Sequence, residues 1–121
     1  GSWSGAGRYM FVLLGGKYQL YIDGGTSPGS QTTAATLNTW QHVAVTKSGS
    51  TVTYYLDGIQ NGSFTNSLDL TNPSGISIGS GPNNNWIYNW GGYIQDFRIS
   101  RSVLYTAADE SANIPTGPLE G

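Results

Sequence analysis

The 121-residue chain contains no cysteine, which excludes disulfides, zinc ribbons, iron–sulfur clusters and a thiol nucleophile together. Charge is scarce as well: 10% of residues, five basic against seven acidic, for a formal net charge of −2. The basic residues Arg8, Lys17, Lys47, Arg98 and Arg101 are scattered. No stripe of positive charge is available to neutralise a phosphate backbone, so nucleic acid is not an expected partner. No apolar run approaches the roughly 20 residues of a helical membrane span, and no signal peptide is legible, so membrane insertion is not expected either. The chain opens Gly1-Ser2-Trp3 without a methionine and reads as a processed or excised piece of something longer.

What the chain has instead is glycine, 18 residues of it, and 12% aromatics. Glycine, serine, threonine and asparagine separate short apolar runs, and helix formers are sparse, which is the composition of one turn-rich all-β domain. Tyr9 to Leu14 is a continuous apolar run ended by Gly15-Gly16. Lys17 to Asp23 alternates, with Tyr18, Leu20 and Ile22 on one face. Gly24 to Ser30 reads as a loop and Gln31 to Thr36 as a weak edge strand. Trp40 to Lys47 and Thr51 to Asp57 are β-rich runs joined across Ser48-Gly49-Ser50, and Asp57-Gly58 leads into Ile59 to Thr65. Together they predict a three-strand meander. Gly75 to Ser80 reads as a short strand, and Tyr93 to Ser100 as another, with Tyr93, Phe97 and Ile99 on one face and Asp96 and Arg98 on the other. Ala107 to Ala112 is expected to make one helical turn, with Thr106 and Asp109 spaced as a capping box. The expected domain is 1–113, followed by an extended linker over 114–121.

Trp40-x-His42-Val43-Ala44-Val45-Thr46, followed by Tyr55-Leu56-Asp57-Gly58, resembles the laminin-G / concanavalin A-like family. Ile76-Ser77-Ile78-Gly79-Ser80, then Gly92-Tyr93-Ile94-Gln95-Asp96-Phe97-Arg98-Ile99-Ser100, then Val103-Leu104-Tyr105-Thr106 and the prolines 115 and 118, keep that family's order over most of 17–118. The resemblance implies an antiparallel jelly-roll β-sandwich, nearest the short bacterial and phage types found in surface proteins, tail fibres and virion components. It implies an extracellular or virion-surface location. Family members begin with a strand that this chain lacks. A sandwich without it leaves an open edge, to be filled by preceding polypeptide or by a neighbouring subunit's strand.

Glycosidases of this fold place two carboxylates on one strand face across the scissile bond. The acids here are Asp23, Asp57, Asp69, Asp96, Asp109, Glu110 and Glu120, and no glutamate lies in an expected strand, so a non-enzymatic role is expected. His42 is the only histidine; it reads as a satisfied, partly buried strand residue, because a metal or catalytic site would cluster further ligands around it. Relatives hold calcium at a sheet rim, but the matching loop from Gly81 to Trp90 offers amides and no acid, where calcium wants six to eight oxygens including carboxylates. No cofactor is expected, with calcium left as a lesser alternative.

That loop is the best functional candidate. Asn83, Asn84, Asn85, Trp86, Tyr88, Asn89 and Trp90 join aromatic faces, on which sugar rings stack, to amides that exchange hydrogen bonds with hydroxyls. The same aromatics suit a plug over the sheet end or a subunit contact. Two roles follow: a glycan-binding recognition module, or a structural subunit of a virion, fibre or filament. The partners are a glycan or cell-surface polysaccharide, and protein subunits. Asn61-Gly62-Ser63 matches a glycosylation sequon, though Asn-Gly reads first as a turn.

Overall fold

A computed structural model of the chain describes residues 9–22, 33–67, 79 and 90–117. Their regular structure is antiparallel β. Strands β1 (Tyr9–Leu14) and β2 (Lys17–Ile22) form one hairpin, while β3 (Val43–Ser48), β4 (Thr51–Leu56) and β5 (Ile59–Thr65) form a meander in the order β3-β4-β5. Each connection is two residues long. Gly15 and Gly16 (φ 59° and 79°) and Asp57 and Gly58 (φ 50° and 79°) are left-handed at both central positions. Such turns twist with the strands they join rather than splaying them. The registers follow from these turns: Leu14 faces Lys17, Ser48 faces Thr51 and Leu56 faces Ile59.

Alternation puts Val45, Val52, Tyr54 and Phe64 on one face of the meander, and that face meets Leu20 of β2. Leu20, Val52 and Tyr54 are the buried centre, each aliphatic side chain contributing about 1.5–3 kcal/mol by leaving water. Tyr54 also carries a polar link between the sheets. The Leu20 N–H donates to its hydroxyl at 2.8 Å in a buried setting, so a backbone donor turned away from β1 still finds an acceptor.

The pairing of β4 with β5 shifts by one residue between Thr53 and Tyr55, which sets both Asn61 and Gly62 (φ 119°) opposite Tyr54 as a bulge. The Asn61 side chain is buried. Its Oδ1 accepts from the Thr33 N–H at 2.7 Å and its Nδ2 donates to the Thr33 carbonyl at 3.0 Å. The Asn-Gly pair is thus a bulge rather than a turn, and its amide is held on both sides by the passing backbone. It is a poor glycosylation acceptor for that reason.

The C-terminal segment docks along the free edge of β5. The Gln60 N–H donates to the Ala108 carbonyl at 2.9 Å and the Glu110 N–H to the Gly58 carbonyl at 2.7 Å, a single antiparallel bridge between Ile59 and Asp109. Gly58 is pinned beneath it: a Cβ there would lie 2.6 Å from Ser111 backbone atoms.

Several expectations need correction. The strand expected from Trp40 begins at Val43. Asp57 is left-handed, so its Oδ1 rather than a carbonyl accepts the His42 N–H (2.8 Å), while the Asp57 N–H donates to the His42 carbonyl. No strand forms over 33–36, where Ala35 donates one bond to the Gly16 carbonyl. Tyr93 to Ser100 makes no ladder either; the stretch is exposed and Asp96 is left-handed at φ 54°. The expected helical turn is a 3-10 turn displaced to Ser111–Asn113. No Thr106–Asp109 box caps it: the Glu110 carboxylate reaches back to the Thr106 and Ala107 N–H groups (2.9 and 2.8 Å) because this stretch docks on β5 instead of starting a helix. The loop expected over 24–30 and the strand expected over 75–80, Gly79 apart, lie outside the described residues. Among the described residues β1 pairs with β2 alone.

Candidate functional site

Three aromatic rings form a row along the hairpin. Phe11 of β1 and Tyr18 of β2 lie 6.0 Å apart between centroids, and Trp90 follows Tyr18 at 6.3 Å, with a tilt of 22° at each step. Phe11 and Tyr18 meet because positions 11 and 18 project to the same face of neighbouring strands, diagonal to one another. The end rings keep more than a third of their surface in water, 37% for Phe11 and 36% for Trp90. Trp90 is positioned from its backbone, whose N–H donates to the Gly79 carbonyl at 2.8 Å. Its indole is accommodated by Gly92, where a Cβ would stand 3.3 Å from Nε1. Partial burial, then the Asp57 charge, raise the Tyr18 phenol above its ordinary value, so it stays a neutral hydroxyl able to donate a hydrogen bond.

Of the residues expected to bind ligand, only Trp90 falls among those described; Asn83, Asn84, Asn85, Trp86, Tyr88 and Asn89 lie outside them. Phe11 and Tyr18 were legible only as strand residues. Their alternation marks a face, and nothing in the sequence says that this face continues into Trp90.

A second cluster sits on the opposite side of the meander. Tyr105 lies edge-on to His42 at 5.9 Å and tilted against Tyr55 at 5.6 Å, so Tyr55 is buried although it points away from the sandwich core. His42 is half-buried and its Nδ1 has no hydrogen-bond partner, so it is not the satisfied histidine the sequence suggests. Burial lowers its pKa, opposed by the Asp57 charge, and the ring is neutral near pH 7.

Of the described carboxylates, Asp57, Asp109 and Glu110 are engaged in structure. Asp57 holds the His42 N–H, and Asp109 accepts from both the N–H and the hydroxyl of Ser111. The Glu110 carboxylate takes the Ala107 and Thr106 N–H groups and the Asn113 amide, which together hold its pKa below the ordinary glutamate value. Asp96 stands on the exposed segment 93–100, which makes no ladder among the described residues. Among the described residues no three of His, Cys, Asp and Glu gather as a metal site, and no helix is long and apolar enough to cross a membrane.

Comparison with curated proteins and with solved structures finds no match. A laminin-G-type family model, described as the concanavalin A-like lectin/glucanases superfamily, matches residues 2–108. That span covers both hairpin and meander, and the antiparallel sheets packed through Leu20 and Tyr54 are those of a partial jelly roll. The chain belongs to the concanavalin A-like lectin/glucanase superfamily.

Proposed function

We propose that this domain is a non-enzymatic recognition module that binds carbohydrate through the Phe11–Tyr18–Trp90 row, together with the asparagines and aromatics that precede Trp90 in sequence, as part of a surface or virion protein. The row carries the proposal. Its rings step at 6.0 and 6.3 Å and its ends stay partly in water, which suits the apolar faces of pyranose rings. The Tyr18 hydroxyl, together with Asn83, Asn84, Asn85 and Asn89, is the polar chemistry that would orient a sugar. The superfamily includes both lectins and glucanases. Binding without hydrolysis is favoured because Asp57, Asp109 and Glu110 already satisfy backbone donors, and a pair of carboxylates facing each other across a bond is what glycoside hydrolysis requires.

The test is a glycan array followed by titration of the hits. Trp90→Ala should weaken binding by about tenfold with the fold intact by circular dichroism. If the unsubstituted protein binds no glycan, this function is wrong. One observation favours a structural subunit instead: Tyr93, Phe97 and Ile99 are largely exposed on a segment that makes no ladder among the described residues, a surface that suits contact between subunits.

A further inference from the structure

The segment that docks on β5 is held in two ways. Its backbone accepts from the Gln60 N–H through the Ala108 carbonyl and donates from the Glu110 N–H to the Gly58 carbonyl. Its Tyr105 ring packs edge-on to His42 at 5.9 Å and against Tyr55 at 5.6 Å. His42 is itself fixed, since its N–H donates to Asp57 Oδ1 and its carbonyl accepts from the Asp57 N–H, both at 2.8 Å. His42 therefore cannot move without unlacing that pair of bonds, whereas Tyr105 belongs to a segment joined to the sheet by one bridge.

The Nδ1 of His42 is buried and makes no hydrogen bond among the described residues. A neutral ring can leave a lone pair there at modest cost. An imidazolium cannot, because both nitrogens then carry N–H donors and a buried charge without an acceptor is expensive. The titratable groups around the ring are Asp57 beyond β4, Tyr55 of β4 and Tyr105 of the C-terminal segment, and the Glu110 charge acts on Tyr55. Among these side-chain types, histidine is the one that ordinarily changes charge between pH 5 and 8. Burial opposes the proton and Asp57 favours it, and burial is the larger effect, so the docked state holds His42 below its ordinary value of 6.5. Undocking returns water to the ring and takes up a proton. Docking is thus fully favoured above pH 6.5 and is lost as the pH falls below it. The opening that costs least is that of the Tyr105 segment, because β3 and β4 are paired along their whole length.

We propose that the C-terminal segment over 105–110 is an acid-released latch: protonation of His42 breaks its contact with Tyr105 and frees the segment from β5 while the meander stays folded. Release uncovers Tyr55 and the Gln60 N–H. The device does not use the aromatic row, so it stands whether or not the domain binds glycan.

The experiment is nuclear magnetic resonance of the full chain from about pH 7.5 to about pH 5, following the His42 ring and amide protection together. His42 is the only histidine, so its ring signals need no sorting. Its midpoint should lie below 6.5. Protection factors of the Gln60 and Glu110 amides should fall severalfold over the same range, by at most about tenfold per pH unit because one proton is taken up. Those of β3 and β4 should hold. The Asp109 and Glu110 carboxyls are held below their ordinary values, so their protonation lies beneath this window. His42→Phe keeps a ring against Tyr105 and should make the protection independent of pH. Asp57→Asn keeps the Oδ1 acceptor and tolerates the left-handed turn, and by removing the charge that favours the proton it should lower the ring and amide midpoints together. That variant decides the matter if His42→Phe does not fold. A ring midpoint at or above 6.5, protection unchanged down to about pH 5, an equal fall in His42→Phe, amides of β3 and β4 opening in step, or an Asp57→Asn ring midpoint that moves without the amides would each overturn the proposal.

Discussion

The β3–β4–β5 meander and the segment 93–100 are written in the same alternating pattern, yet only the first is a sheet. In the meander each strand reaches its partner across two residues, at Gly49-Ser50 and at Asp57-Gly58, so the ladder forms at almost no cost in chain closure. Among the described residues the segment 93–100 has no strand delivered to it across such a turn. Alternation decides which way side chains point; adjacency decides whether the backbone is satisfied.

The comparison breaks most severely at Gly58. Its φ of 79° and the Ser111 backbone 2.6 Å from a Cβ position mean that Gly58→Ala must strain the turn and lift the C-terminal segment together. A loss of about 2–4 kcal/mol is expected in denaturant unfolding, and a loss below about 0.5 kcal/mol would show that the segment is loosely held. A smaller effect is expected from Tyr54→Phe, which leaves the buried Leu20 N–H without its acceptor and should cost about 1–3 kcal/mol. If the variant is as stable as the parent, the two sheets are not linked through that hydroxyl. The smallest effect belongs to the exposed segment 93–100. Ile99→Lys should change stability by no more than about 0.5 kcal/mol, as surface substitutions do. A large loss would mean that the segment packs like a strand after all.

The turns explain how much could be read beforehand. Gly15-Gly16 and Asp57-Gly58 punctuate the sequence where the strands end, so β1, β2, β4 and β5 fall within a residue of where the pattern puts them. The start of β3 was missed because a left-handed Asp57 substitutes a side-chain oxygen for a ladder carbonyl, which no propensity encodes. At Asn61-Gly62 three structures share one dipeptide: a turn, a sequon and a bulge. Only the approach of Thr33 tells them apart. A helical turn was expected over 107–112 because local spacing carries no sign of the docking of Glu110 against Gly58. The candidate site was half legible. Trp90 announced itself as an aromatic among asparagines, whereas Phe11 and Tyr18 join it only through contacts distant in sequence.

The bridge between Ile59 and Asp109 carries a consequence in time. Hairpins with two-residue turns close in about 1–10 μs, whereas this bridge must wait for a loop of about fifty residues to find its ends. The meander is then assembled before the C-terminal segment arrives to cover Tyr55 and clamp Gly58. Contacts made that late govern escape from the folded state more than entry into it. The clamp on Gly58 therefore acts as a latch: it does little to speed the fold's formation and much to set how long the fold survives.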